Sequence, residues 1–470
     1  MTVERIAQSP AGTGPVGQPV DAAGPEMAGS TWPRPAMAWY GVSMIALVTL
    51  FGQLDRGIMA LLLASIKRDT GMSDTELSLL MGLAFSIPYM FVGLPVARMA
   101  DVGRRTVILP AALAVWSLGT ALCGMAQSFW QFFVFRALIG AGESIKGPTS
   151  TSLIPDLVPR TRLSRAFGVY NVAVGAGESL ALILGGLLLG IFVAMPPIHV
   201  PMIGELHGWR MVYLVFGIPG LLLAIVFLLT VKEPARHGLT RPGSAPIRDV
   251  ALFLVRGPAA RVYVPLLCAA VLNSLYLMGI GAWRPTFYER TYGLGPAEYG
   301  PIIGLGMLIA APVGVALGAF VVERLARSWD DAHLRLVLLT ELLTIPVVIL
   351  APLMPSFTLA LACQVMLNIL LMMSAPSRLA AMQIITPNEM RAQANAIFMF
   401  LFGAIGAGLG PSVIALVTDF IFKDEAELRY AMLTTAAIAA PVVAICTLTA
   451  LRPYGRLYRS IIDRERAGAD

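Results

Sequence analysis

The chain has 470 residues, of which 57% are hydrophobic and only 13% charged. That balance excludes an ordinary soluble globular protein and makes lipid the main solvent. The net charge of +6, from 34 Lys and Arg against 28 Asp and Glu, is too small for a nucleic-acid binder. A spanning helix takes about 20 apolar residues, so this length holds about a dozen with short connections.

Residues 1–36 are rich in Pro, Gly and Ala and lack the basic and apolar regions of a signal peptide, so they read as a disordered cytoplasmic tail. Apolar segments at about 38–64, 76–97, 106–126, 129–154, 164–195 and 209–231 predict spans 1 to 6, an N-terminal bundle over 37–231. The polar stretch 232–261, with Pro234, Pro242, Pro246 and Pro258, reads as a cytoplasmic linker. Within it Arg248 and Arg256 bracket the apolar run Val250 to Val255, which suits the membrane surface. Segments at about 262–288, 299–322, 334–352, 357–383, 393–420 and 430–451 predict spans 7 to 12, a C-terminal bundle over 262–455 followed by a cytoplasmic tail, 456–470. The expected fold class is an all-α membrane protein of twelve spans in two six-helix bundles.

The basic residues set the orientation. Alternate connections collect Arg98, Arg104, Arg105, Arg160, Arg162, Arg165, Lys232, Arg236, Arg324, Arg327, Arg391, Arg452 and Arg456, while the others hold Lys67, Arg68, Arg210, Arg290, Lys423 and Arg429. By the positive-inside rule both termini and the linker are expected in the cytoplasm. The halves also read as copies: the shift that lays Pro148 on Pro376 lays Pro159 on Pro387, Ala166 on Ala394, Gly175 on Gly403 and Arg56 on Arg284.

Cations Arg56, Arg136, Lys146, Arg284 and Arg378 and carboxylates Asp55, Glu143, Glu178 and Glu341 fall inside the spans. Each would cost about 3 kcal/mol facing lipid, so they must pair or line water. Asp55 and Arg56 are neighbours in span 1 and point about 100° apart, so one is expected to face a cavity and the other a neighbouring helix. Asp55 reads as a proton carrier or as a fixed structural anion, with burial and a nearby Arg acting in opposite senses. In span 4, Arg136, Gly140, Glu143 and Gly147 form one stripe, whose glycines leave a groove for a helix or a substrate. Proton handling by Asp55 and Glu143 stands beside a plainer reading, an Arg136–Glu143 pair that only holds span 4 to span 1.

The C-terminal half offers Arg284, Arg378, Asn273, Tyr276, Trp283 and the methionines Met366, Met372, Met373 and Met399. Arg suits an anionic head group, and aromatic rings and thioethers suit an adaptable apolar moiety; ordinary helix packing also explains the methionines. Arg56, Arg136, Lys146, Arg284, Trp283, Tyr276 and Arg378 are therefore the expected substrate-binding set. Asp101 and Arg105 after span 2 and Glu323 and Arg324 after span 8 are acid–Arg pairs at matching helix ends, and read as a latch between the halves.

The four cysteines sit in apolar runs without CxxC spacing, and the four histidines lie in loops with no ligand cluster, so no metal site is expected. Gly142 to Gly147 is followed by Pro148 where a phosphate-binding loop needs Lys, and no hydrolase constellation occupies the spans. Neither enzyme activity nor a cofactor is expected beyond protons as the coupling ion.

These residues resemble the major facilitator superfamily and, more narrowly, the spinster family, over spans 1 to 5. The motifs are Asp55-Arg56, Ser73-Asp74, Gly93-Leu94-Pro95 through Asp101 and Arg105, Trp116-Ser117, Arg136 with Gly140, Gly142-Glu143, Pro148 and Asp156-Leu157. Gly52-Gln53 replaces the family's Asn-Tyr before the Asp-Arg pair, and Lys146 is an added charge after the span 4 Glu. The resemblance implies a bacterial homologue: a monomeric, multi-pass transporter of the inner membrane, working by alternating access. It further implies a proton-coupled carrier of an amphipathic anionic lipid, such as a lysophospholipid or sphingosine phosphate, with Asp55 and Glu143 coupling to protons. The alternative is a carrier of a smaller organic anion or amphiphilic drug.

Overall fold

The structure, a computed structural model, describes residues 32–196, 198–200, 204–236, 247–256 and 259–467. Residues 1–31 of the first tail and 237–246 and 257–258 of the linker lie outside these. The N-terminal half comprises α1 (Pro35–Thr70), α2 (Asp74–Met81) and α3 (Leu83–Val102) in line, α4 (Arg105–Cys123), α5 (Phe129–Leu157), α6 (Arg160–Val193) and α7 (Gly208–Thr230). The C-terminal half comprises α9 (Ala260–Tyr292), α10 (Pro296–Ala326), α11 (Ala332–Leu350), α12 (Phe357–Ile385), α13 (Asn388–Leu401) leading into α14 (Gly408–Leu416), and α15 (Leu428–Ala467). Between α6 and α7 a small antiparallel pair, β1 (Ile198–Val200) and β2 (Gly204–Leu206), matches His199 with Glu205.

Among the described residues eleven stretches are long and apolar enough to cross a membrane. The twelfth, α5, is long enough but carries Arg136, Glu143 and Lys146, so its burial in the bundle substitutes for apolar composition. The first helix of each half ends alike: Gly71 and Gly293 both adopt φ 69° and return their N–H to the carbonyls of Lys67 and Glu289. Only glycine enters that left-handed region without a steric cost, which stops each helix at a defined residue. Ser73 then starts α2 with a reciprocal cap, its Oγ accepting from the Glu76 N–H while Glu76 accepts from the Ser73 N–H.

The halves meet along three helix pairs, α6 with α10, α1 with α9, and α2 with α14. The short α8 (Ile247–Val255) corresponds to the apolar run in the linker. Its Val250 and Leu254 are buried in a cluster with Tyr263 and Phe398, and Phe253 meets the Tyr263 ring edge-on. That apolar face is therefore satisfied by the C-terminal bundle rather than by lipid.

Candidate functional site

α1 and α5 bring the charged residues together at mid-span. Arg56 donates from Nε to Glu143 Oε2 at 2.7 Å, and Lys146 reaches the same oxygen at 3.4 Å. Glu143 is fully buried while the Arg56 side chain is 40% exposed, so Arg56 is the member of the Asp55–Arg56 pair that meets the open space. Its guanidinium lies over the rings of Phe85, at 5.0 Å, and Tyr89, at 5.3 Å, which are stacked on one another. A partly exposed cation gains about 0.5–1 kcal/mol from such contacts.

Asp55 faces the other way. It is 4% exposed, makes no ion pair among the described residues, and its Oδ1 has no hydrogen-bond partner. The second oxygen of Glu143, Oε1, is also without a partner. A buried carboxylate oxygen with no donor is costly.

Lys146 enters this cluster because α1 has no side chain at Gly52. A methyl group built there would lie 2.1 Å from Lys146 Nζ. The two departures from the family pattern, Gly52 and Lys146, thus occupy one volume. Arg136 does not pair with Glu143; it donates to the Leu80 carbonyl at 3.1 Å, and its guanidinium also lies over the Phe85 ring, at 5.4 Å. The groove on α5 has two parts: at Gly140 a methyl group would lie 2.1 Å from the Phe85 carbonyl oxygen, so a helix fills it, whereas Gly147 faces open space.

Across the interface Arg284 of α9 reaches Glu178 of α6 at 3.5 Å, and its Nε is buried without a partner. Glu178 continues an exposed stripe with Asn171 and Gly175, and nothing in the sequence beyond its place inside a span singled it out. The other C-terminal candidates lie elsewhere. Trp283 is fully buried and donates to the Pro411 carbonyl at 2.9 Å, and Tyr276 is sealed among the helices. Arg378 pairs with Glu341 at 3.3 Å inside the C-terminal bundle. Met372 and Met373 pack against Gly314 and Gly318 of α10, Met366 is exposed, and the side chain of Met399 lies outside the described residues.

Of the latch residues, Arg105 binds Asp156 and Glu233 within its own half, at 2.5 and 2.8 Å. The side chain of Asp101 lies outside the described residues. Glu323 and Arg324 are exposed and make no ion pair among the described residues. The halves are instead tied at the opposite end. Asp74 accepts from Lys67 and, through both oxygens, from Arg290; Glu425 takes the same two cations; Arg68 meets Glu289; and Asp419 accepts from the backbone and hydroxyl of Thr75. The molecule is closed at the end remote from its termini.

The family model for the Major Facilitator Superfamily matches residues 45–411, and the chain belongs to that superfamily of membrane transporters. It is 28% identical over 439 residues to an MFS-type efflux pump of Mycolicibacterium smegmatis, covering 90% of this chain and 94% of the relative. It is also similar to protein spinster of Drosophila melanogaster, 23% identical over 63% of this chain and 47% of that protein. Among solved structures, a bacterial homolog of the human lysosomal transporter Spinster, inward-facing and unoccupied, superposes with TM-score 0.72 at 22% identity, over 92% of this chain and 98% of the other. The protein is thus a multi-pass transporter of this superfamily, and its relatives move solutes rather than transform them.

Proposed function

We propose that this transporter carries an amphipathic anion, of the lysophospholipid or sphingosine-phosphate kind, in exchange for or together with protons. The observation that carries the reading is the Arg56 guanidinium, exposed at mid-span over two aromatic rings and held by a fully buried Glu143. An acidic head group competes with Glu143 for Arg56, while Phe85 and Tyr89 offer an apolar surface beside the charge. Protonating Glu143 removes the competitor. Lys146 then remains to balance the site, and Asp55 holds a further proton next to it.

With the termini in the cytoplasm, as the distribution of Arg argues, the closed end is external and the state inward-facing. Release of the external ion pairs then opens the other side, by rocking of two halves that each move as a packed bundle. The sign of the pH effect follows from the competition: anion binding tightens as pH falls. Binding of a fluorescent lysophospholipid to purified protein at several pH values tests this. Glu143→Gln, which mimics the protonated acid, should bind at high pH as tightly as wild type does at low pH and lose the pH dependence. Arg56→Ala should weaken binding by about 1.5–3 kcal/mol, the range for a hydrogen bond to a charged group. Undiminished binding in Arg56→Ala would remove Arg56 from the substrate site.

The match over nearly the whole chain to a relative named as an efflux pump favours a second reading, in which the carried amphiphile is a smaller organic anion or a drug. The same cation–aromatic site serves either.

A further inference from the structure

The C-terminal bundle contains a buried carboxylate–arginine pair of its own, absent from the corresponding positions of the N-terminal half. At the register of the internal repeat, Glu341 corresponds to Leu113 and Arg378 to Ser150. Glu341 stands in the third turn of α11, and its side chain is 6% exposed. Among the described residues its only ion pair is a single contact from Arg378 Nη2 to Oε1 at 3.3 Å. Oε2 is buried and has no hydrogen-bond partner. The pair lines a small cavity bounded by Leu266 and Ala269 of α9, Leu334 and Val337 of α11, Met382 of α12 and Thr447 of α15, and the buried Thr447 hydroxyl stands beside the Glu341 carboxylate. This cavity lies toward the end of the bundle that bears the termini, well separated in the fold from Glu143 on α5.

We propose that Glu341 is a second proton-binding site of the chain, distinct from the Asp55–Glu143 group. The charged and titratable groups around it are few: Arg378 from α12, Tyr276 from α9 and Cys446 from α15, with Thr447 as a neutral hydroxyl. One monodentate contact to Arg does not satisfy a carboxylate that accepts at about four lone-pair positions, and each unmet position in a dry site raises the cost of the anion. Uptake of a proton from water at Oε2 gives a neutral acid whose O–H has an acceptor in Thr447 Oγ1. Arg378 keeps its charge. Its side chain is 17% exposed, so it can turn toward water when its partner is neutral, which the more buried Glu341 cannot do. The pair is therefore built so that the carboxylate, and not the guanidinium, changes state. Because the cavity at Glu341 is bounded by its own helix and three neighbours of one half, its protonation alters packing inside that half and leaves the α1–α5 cluster untouched.

The inference does not depend on which solute is carried, and its readout is protonation itself. Infrared difference spectra of the protein in lipid, recorded through a pH titration, report the carbonyl stretch of protonated carboxylic acids. Wild type should show a titrating component that is lost in Glu341→Gln and retained in Glu143→Gln. Arg378→Gln should move that component about 1–3 pH units higher, because the neighbouring cation that favours the anion is gone. If Glu341→Gln does not fold, the Arg378→Gln titration decides alone. Wild-type and Glu341→Gln titrations that coincide, or an Arg378→Gln titration that leaves every component in place, would overturn the proposal. A failure of the Glu143→Gln binding test with these infrared results intact would sink the proposed coupling site and spare this one.

Discussion

At the scale of single residues, the site is organised by what one side chain leaves for another. Gly52 has no side chain, and Lys146 Nζ fills the place where one would begin. That ammonium shares Glu143 Oε2 with Arg56, so the residue at position 52 indirectly sets how tightly Arg56 is held. Gly52→Asn should displace Lys146 and weaken both stability and transport, whereas Gly52→Asn combined with Lys146→Ser should recover much of the loss. A double-mutant cycle on thermal stability should give a coupling of about 0.5–3 kcal/mol, the range for residues in direct contact. Additive effects would mean that the two positions do not share a volume. Neither residue type announces this relation alone. Gly52 and Lys146 were legible as departures from a family pattern, but their contact depends on the crossing of α1 and α5, which no local sequence feature fixes.

At the scale of elements, the helix ends decide which side is shut. Gly71 stops α1 and Ser73 starts α2, which turns Asp74 inward beneath Lys67 and Arg290. The Asp74 side chain is fully buried and takes three charge-assisted hydrogen bonds, two of them from Arg290 in the other half, so it is the most constrained link between the halves. Removing the charge leaves the two cations only the more exposed Glu425 to share. Asp74→Asn should therefore shift the population toward a state open at this end. In a cysteine-free background, a cysteine placed at Ser412, which meets Ser78 across the interface, should react with an external maleimide about tenfold faster for each 1.4 kcal/mol of destabilisation. An unchanged rate would show that the closure rests on helix packing alone. At the opposite end Glu323 and Arg324 stand apart from any partner among the described residues, as they must if that end is open in this state.

At the scale of the whole molecule, hydrophobic length and the basic-residue pattern were enough to read twelve spans and two bundles, because a bilayer fixes helix length so strictly. Span 4 was the informative exception, too charged to pass as lipid-facing and therefore internal. The site was legible in part: the sequence marked which residues were too costly to face lipid, but not how they pair. Arg136 was the natural partner for Glu143 along one helix face, yet Arg56 takes that place from another helix. Arg378 and Trp283 carry chemistry suited to a substrate, yet helix packing turns one toward Glu341 and the other toward Pro411. Phe85 and Tyr89 were indistinguishable in sequence from lipid-facing or core aromatics until α3 was seen beside Arg56. Pairing across helices is set by tertiary contacts between segments far apart in the chain, and that is where residue spacing stops being informative.

The central claim is that an anionic amphiphile moves through this site under control of protons on Asp55 and Glu143. The most direct measurement is uptake into proteoliposomes of a fluorescent lysophospholipid, beside a small aromatic acid, with and without an imposed pH gradient, for wild type and Asp55→Asn. The account predicts gradient-dependent flux of the lipid in wild type and its loss in Asp55→Asn with folding intact. Lipid flux that ignores the gradient, or that survives the substitution with its pH dependence unchanged, would contradict it.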